Sequence, residues 1–331
     1  MYSQYFQAII GHREIKNRLL RLLEKDRMPH AMIFAGPAGI GKTMMARAVA
    51  SAMVGRPLFA HVHIDEKTDM PVIADKDDGY YLAPNGAMLK VDQFRQLQSH
   101  LVLQGKAGCK RICIIDHVET MNAEFANRML KILEEPPTGV YFILITDQPA
   151  LLLPTIVSRC AEILFEPVGD EEMLQGLVQL QGGEADQYTE AVAWGNGIVK
   201  TVLAYLQGNG AQEFKRALDF LHIMTTHACP YAKWLSVSGE YTDEESKEIL
   251  HSLGLCFRDM AVLRSGADTS LLRLVPYKQD MLKVLPYWTD AGIFHMMKIL
   301  EEGIEAITRH VNIRLVWDYV CIQCIAQKGG I

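Results

Sequence analysis

The chain has 331 residues, 49% hydrophobic and 22% charged, with 25 Gly and 13 Pro, a balance that excludes disordered and fibrous classes and predicts about two domains at roughly 150 residues each. A formal net charge of -6 excludes coating of nucleic acid by bulk charge, so any DNA contact must be a local patch or be shared with partners. Seven cysteines, scattered from Cys109 to Cys324, do not form a secreted disulfide framework, and neither a signal peptide nor an apolar run of ~18 residues is present, so a soluble, cytoplasmic chain without a membrane partner is expected.

From Glu14 to Asp26 the apolar positions Ile15, Leu19, Leu20, Leu22 and Leu23 recur at helical spacing among charged residues, which predicts an amphipathic helix. The apolar run Ala31 to Ala35 stops at Gly36, and helical spacing returns after Gly41. The order is strand, Gly-rich loop, helix. Between Asp65 and Asp78 lie six acidic and two basic residues, a segment expected to be a solvated excursion. A second strand, Arg111 to Ile115, ends at Asp116, and a helix from Asn122 to Glu135 is stopped by Pro136 and Pro137. Val140 to Thr146, rich in β-branched and aromatic residues, and Ala161 to Phe165 complete the strands. Strands alternating with helices imply a mostly parallel sheet covered on both faces. Beyond Pro167 the pattern is helical throughout, with a turn-rich break at Gln207 to Gly210.

The densest chemical signal is GPAGIGKT, made of Gly36, Pro37, Ala38, Gly39, Ile40, Gly41, Lys42 and Thr43. It satisfies the phosphate-loop pattern G-x-x-x-x-G-K-[ST] in full. Glycines let backbone N–H groups close around a polyphosphate, the following helix N-terminus adds positive potential, and the lysine reaches the terminal phosphates. Thr43 would hold Mg²⁺ through its hydroxyl, and Asp116, at a strand end, supplies the carboxylate that such folds use to help hold the metal. Taken alone, Asp116 is also an ordinary turn or cap residue. His117 follows where motor ATPases commonly place a glutamate to orient water, and Glu119, two positions on, need not face the same way. ATP binding is therefore better supported than hydrolysis.

Several segments resemble the delta-prime-type subunits of bacterial DNA polymerase III clamp loaders, within the AAA+ superfamily: IIGH (Ile9 to His12), MPHAMIFAGPAGIGKT (Met28 to Thr43), MLKVDQFRQL (Met88 to Leu97), IIDHVETMNAEFANRMLKILEEPP (Ile114 to Pro137) and LLPTIVSRC (Leu152 to Cys160). FRDMAVLRSG (Phe257 to Gly266) and HVNIRLVWDYV (His310 to Val320) extend the resemblance into the C-terminal region. It implies an α/β AAA+ phosphate-loop module with a parallel sheet and flanking helices at 1–166, a small helical lid at 167–208 and an all-helical collar domain at 209–331. It also implies that Arg159, in the triplet Ser158, Arg159 and Cys160, projects as an arginine finger into a neighbouring subunit's ATP site, where such a residue is worth ~10³ to 10⁵ in rate. Thr146 matches the polar sensor position facing the γ-phosphate. The implied partners are the gamma/tau motor and delta subunits, with the sliding clamp and primed DNA reached through the assembled complex.

Two departures stand out. Many relatives carry a four-cysteine zinc module after the phosphate loop, whereas no cysteine precedes Cys109 here, so no zinc is expected. His61, His63 and Asp65 read as solvated residues, and Cys321 with Cys324 as buried thiols on an apolar helix. The lid region, Trp194 to Leu206, offers only Lys200 where motor subunits place an arginine. The sequence thus favours a subunit that holds ATP and donates Arg159. The alternatives are an active gamma/tau-like motor, which needs a zinc module, a glutamate after Asp116 and a lid arginine, or a phosphotransferase, which leaves the Ser-Arg-Cys and LEEPP segments unexplained.

Overall fold

In the computed structural model the described residues are 2–59, 73–76, 78–84, 88–103, 110–207, 210–227, 229–238, 241–309 and 311–328. The chain resolves into two compact units, Met1–Ala185 with Gly197–Lys200, and Asp186–Asn196 with Thr201–Ile331.

The first unit is built on a six-stranded sheet in the order β2-β3-β4-β5-β1-β6, from β1 (Ala31–Ala35), β2 (Ile73–Asp75), β3 (Gly79–Leu82), β4 (Arg111–Ile115), β5 (Val140–Thr146) and β6 (Ala161–Leu164). Every neighbouring pair is parallel except β2 and β3. Strands β1, β3 and β4 are buried at every position, as expected of central strands covered on both faces. Helices α1 (Arg13–Glu24), α2 (Lys42–Val54), α3 (Val91–Leu103), α4 (Ala123–Glu134), α5 (Pro154–Val157) and α6 (Asp170–Gln181) accompany them. Asn122 caps α4 by accepting the Phe125 N–H at 2.8 Å, and Pro136 ends the pattern as its missing N–H demands. Phe94 of α3 and Phe125 of α4 pack at 4.9 Å between ring centroids in the core on one sheet face.

The four strands expected from the sequence are present, β6 ending one residue early. The acidic excursion needs correction where it is described: Ile73–Asp75 is an edge strand, and Lys76 and Asp78 lie in turns. Asp75 and Asp78 are not simply solvated, because Arg56 bridges them at 2.9 and 3.1 Å and Asp75 also accepts the Phe59 N–H at 2.6 Å.

The register carries the functional consequence. Ala35 lies opposite Thr146, and Leu82 opposite Ile115. Residues just past the carboxyl ends of β1, β4 and β5 therefore converge where open parallel sheets receive ligands.

The second unit is helical: α7 (Thr189–Gly195), α8 (Val199–Leu206), α9 (Gly210–Thr226), α10 (Pro230–Ser238), α11 (Asp243–Ser265), α12 (Lys278–Val284), α13 (Asp290–Thr308) and α14 (Ile313–Gln327), the first two residues of α8 counting with the first unit. Its core gathers Trp194, Trp234, Trp288 and Trp317, all essentially inaccessible. Thr242 and Glu245 form a reciprocal capping box that starts the 23-residue α11. Asp259, fully buried, accepts the N–H groups of Arg273 and Leu274 and pairs with Arg258 at 2.6 Å, which satisfies its charge. Cys321 and Cys324 are buried as expected, and burial pushes the Cys321 thiol up to about 12. Along α14 and the residue pair before it, Val311, Leu315, Tyr319, Ile322 and Ile325 stay exposed at helical spacing. Among the described residues no helix is long and apolar enough to cross a membrane.

Candidate functional site

The loop from Gly36 to Gly41 joins β1 to α2. Gly36 adopts φ 151°, and a Cβ there would lie 2.3 Å from the Phe165 carbonyl oxygen, so no side chain fits. A Cβ on Gly41 would meet nothing within 4 Å, but φ is 107°, and it is backbone conformation that selects glycine at this helix start. Pro37 and Ala38 are exposed and Ile40 is buried. The Ile40 carbonyl meets His12 Nε2 at 2.9 Å, and burial holds that imidazole below its ordinary value. Lys200 donates its backbone N–H to the Gly39 carbonyl at 2.9 Å while its side chain is exposed, which seats Lys200 beside the loop.

Lys42, the first residue of α2, is 4% exposed. Its ammonium donates to the carbonyls of Gly36 at 2.7 Å and Pro37 at 2.6 Å, and to Asp147 Oδ1 at 2.6 Å. Next to it, Thr43 Oγ1 donates to Asp116 Oδ2 at 3.1 Å. Tyr81, on β3 beside β4, donates its hydroxyl to the same Asp116 oxygen at 2.7 Å, and Asp116 Oδ1 accepts the His117 N–H at 3.0 Å. A hydroxyl and a carboxylate in contact beside a phosphate loop form an oxygen donor set suited to a hard cation such as Mg²⁺.

His117 has φ 50° and places Nδ1 3.2 Å from Glu119 Oε1 and 3.9 Å from Asp147 Oδ2. The hydrogen bond to Glu119, reinforced by the charges of Asp116 and Asp147 against burial, raises the imidazole to about 9. Burial pushes the Glu119 carboxyl up, but His117 and Thr146 outweigh it and the group sits below its ordinary value. Glu119 is 6% exposed, and its Oε2 has no hydrogen-bond partner. Thr146, fully buried at the end of β5, accepts the Gln148 N–H at 3.0 Å. The structure thus brings Gly36 to Thr43, Asp116 and Thr146 to one end of the sheet, with the Gly36 N–H donating to the Thr146 carbonyl at 3.3 Å.

Arg159 has different neighbours. It follows α5 and donates to the Thr155 carbonyl at 2.9 Å and to Glu134 Oε1, at the end of α4, at 2.7 Å, with 36% of its side chain exposed. None of these partners belongs to the phosphate loop.

Sequence reasoning missed Tyr81 and Asp147. Asp147 had a usable signal, a polar residue directly after a buried strand adjacent to β1. Tyr81 had none, because β3 itself was unread. His61, His63, Asp65 and Cys109 lie outside the described residues.

Residues 11–169 match the family model described as DNA polymerase III, delta subunit. The chain is 28% identical over 330 residues to the DNA polymerase III subunit delta' of Bacillus subtilis, covering 96% of this chain and 97% of that one. It is 33% identical over 189 residues to the delta' subunit of Pseudomonas aeruginosa, covering 56% of this chain and 57% of the other. A solved DNA polymerase III, gamma subunit-related protein of Thermotoga maritima superposes with a TM-score of 0.51 at 14% identity, covering 93% and 99% of the two chains, a likeness of fold.

Proposed function

We propose that the chain is a clamp-loader subunit similar to the delta-prime subunits of bacterial DNA polymerase III, that it binds ATP at its phosphate loop and that it lends Arg159 to a neighbouring motor subunit while the assembled loader places a sliding clamp on primed DNA. The observation that carries the nucleotide part is the Thr43–Asp116 contact of 3.1 Å directly after Lys42, whose ammonium is held by the loop carbonyls of Gly36 and Pro37. Backbone N–H groups of Gly36 to Gly41 and the N-terminus of α2 would cradle the phosphates. Thr43 and Asp116 would hold Mg²⁺, which would supply neutralisation of phosphate charge, and Thr146 would face the γ-phosphate.

Hydrolysis by this chain is weak in this reading. The residue after Asp116 is His117, charged at neutral pH and engaged with Glu119. A cation donates hydrogen bonds and does not accept the proton of an attacking water. Glu119 is a carboxylate in the neighbourhood, but its side chain is buried and its Oε1 is engaged by His117 at 3.2 Å.

Arg159 supports the donor role by its surroundings: a guanidinium on the surface, held by one exposed carboxylate, can change partners at small cost. In this reading the labour divides among a nucleotide module at 1–166, a lid at 167–208 and a collar at 209–331. The exposed stripe Leu315, Tyr319 and Ile322 on α14 offers the apolar surface that contact with gamma/tau and delta subunits requires.

Reconstitution with motor and delta subunits tests the finger. Arg159→Ala is expected to abolish most DNA-stimulated ATPase activity, and an undiminished rate sinks the assignment. Binding of a fluorescent ATP analogue to the isolated chain tests the loop, where Lys42→Ala must weaken binding.

A further inference from the structure

We propose that Asp147 is a built-in competitor for the phosphate at Lys42: it holds the lysine's one exchangeable hydrogen bond and thereby sets how tightly the loop takes a nucleotide. The inference rests on the nucleotide reading above and adds a residue that sets affinity.

An ammonium group has three N–H donors and no more. On Lys42 all three are engaged, by the Gly36 carbonyl at 2.7 Å, the Pro37 carbonyl at 2.6 Å and Asp147 Oδ1 at 2.6 Å. The two carbonyls belong to the loop itself and cannot leave without unwinding it. Asp147 is a side chain, 24% exposed, and can leave by rotation. A phosphate oxygen arriving at Lys42 must therefore take the position of the Asp147 carboxylate, which carries the same sign of charge and opposes its approach.

The displaced carboxylate has somewhere to go. Asp147 Oδ2 already lies 3.9 Å from His117 Nδ1, so a rotation moves the carboxylate from the Lys42 ammonium toward the His117 ring. Asp147 is placed for both contacts by the end of β5, immediately after Thr146. The pair is also charge-assisted and partly sheltered, the class of hydrogen bond with the larger net effect.

Two readouts separate this claim from the nucleotide reading. The first is the Kd of a fluorescent ATP analogue for the full chain, for Asp147→Ala, for Asp147→Asn and for Lys42→Ala. The second needs no nucleotide: acetylation of Lys42 by an N-hydroxysuccinimide ester, read by peptide mass spectrometry. Asp147→Ala is expected to bind about tenfold more tightly and to label Lys42 several-fold faster; Asp147→Asn, which keeps the shape and loses the charge, should move the same way by less. Unchanged or weaker binding in both variants, with binding still dependent on Lys42, overturns the competitor role alone. Unchanged labelling in Asp147→Ala does the same, by showing that the carboxylate does not shield the amine. Binding that ignores Lys42→Ala, or no binding by any variant, sinks the nucleotide reading and the competitor with it. Should Asp147→Ala fail to fold, the isosteric Asp147→Asn decides on both readouts.

Discussion

Lys42 and Arg159, the two cations on which the proposed function turns, sit in opposite surroundings within one unit. Lys42 is 4% exposed, with two backbone carbonyls and a carboxylate around its ammonium; Arg159 is 36% exposed, and its one carboxylate partner, Glu134, is 51% exposed. On the proposed reading, the charge that serves the chain's own ligand is fixed by the loop that bears it, so its position is set before any phosphate arrives, and the charge offered to another chain is kept at the surface on a contact that costs little to give up. Placement of the lysine is a folding problem, whereas placement of the arginine is an assembly problem.

The sharpest way to break this contrast is to remove the arginine. In the assembled loader, Arg159→Ala should lower DNA-stimulated ATPase by about 10³-fold or more, while the denaturant midpoint of the isolated chain moves by less than ~1 kcal/mol equivalent. A large loss of stability with the rate preserved would make Arg159 a structural residue of the α4–α5 region and dissolve the distinction. On the other side of the contrast, Gly36→Ala should cost about 2 to 4 kcal/mol in chemical denaturation. Its Cβ would meet the Phe165 backbone oxygen at 2.3 Å, and φ is 151°. A neutral result would mean that the loop yields freely and does not pre-set Lys42.

How much of this could be read from the amino acids differs between the same two regions. The loop was legible because its pattern is local: Gly36, Gly41, Lys42 and Thr43 are fixed by chain geometry between one apolar run and one helix. Asp116 was legible as the polar residue directly after a buried strand, and Thr146 through resemblance, since a threonine at a strand end is ordinary by itself. Their contacts were not, since Tyr81 reaches Asp116 from a neighbouring strand and Asp147 reaches Lys42 across 105 positions. Strands β2 and β3 were hidden for a related reason. Asp75 and Asp78 look solvated until Arg56 is seen between them, and that pairing has no sequence signature. Arg159 was legible only through resemblance, because an exposed arginine after a short helix carries no physical signal of its own.

His117 offers a smaller test, by titration. Its folded value is raised to about 9 from an ordinary 6.5, chiefly by Glu119. A raised folded value means that the pair's stabilisation is complete below about pH 6.5 and is lost as pH rises through about 9. Because His117 is 49% exposed, solvent screening keeps the energetic effect modest. Imidazole NMR should place its titration near 9, and Glu119→Gln should bring it down toward the ordinary value and flatten the alkaline loss of stability. An unshifted wild-type titration near 6.5 would return a neutral imidazole to the position after Asp116 and reopen that residue as a base.

The smallest effect belongs to Glu134, and it tests the assembly half of the contrast directly. Its carboxylate meets Arg159 at 2.7 Å, yet both side chains are substantially exposed. Water and salt therefore replace most of what the pair supplies, and such contacts contribute roughly 0 to 1 kcal/mol. Glu134→Gln should leave the stability of the isolated chain within ~0.5 kcal/mol at moderate salt. It should also leave the assembled loader's ATPase undiminished or slightly faster, since the arginine no longer has to exchange one carboxylate for a phosphate. A marked fall in the assembled rate, with stability unchanged, would show that Glu134 aims the guanidinium at the neighbouring site. The arginine would then be pre-set by its own chain, as Lys42 is, and the difference between the two cations would be one of exposure alone.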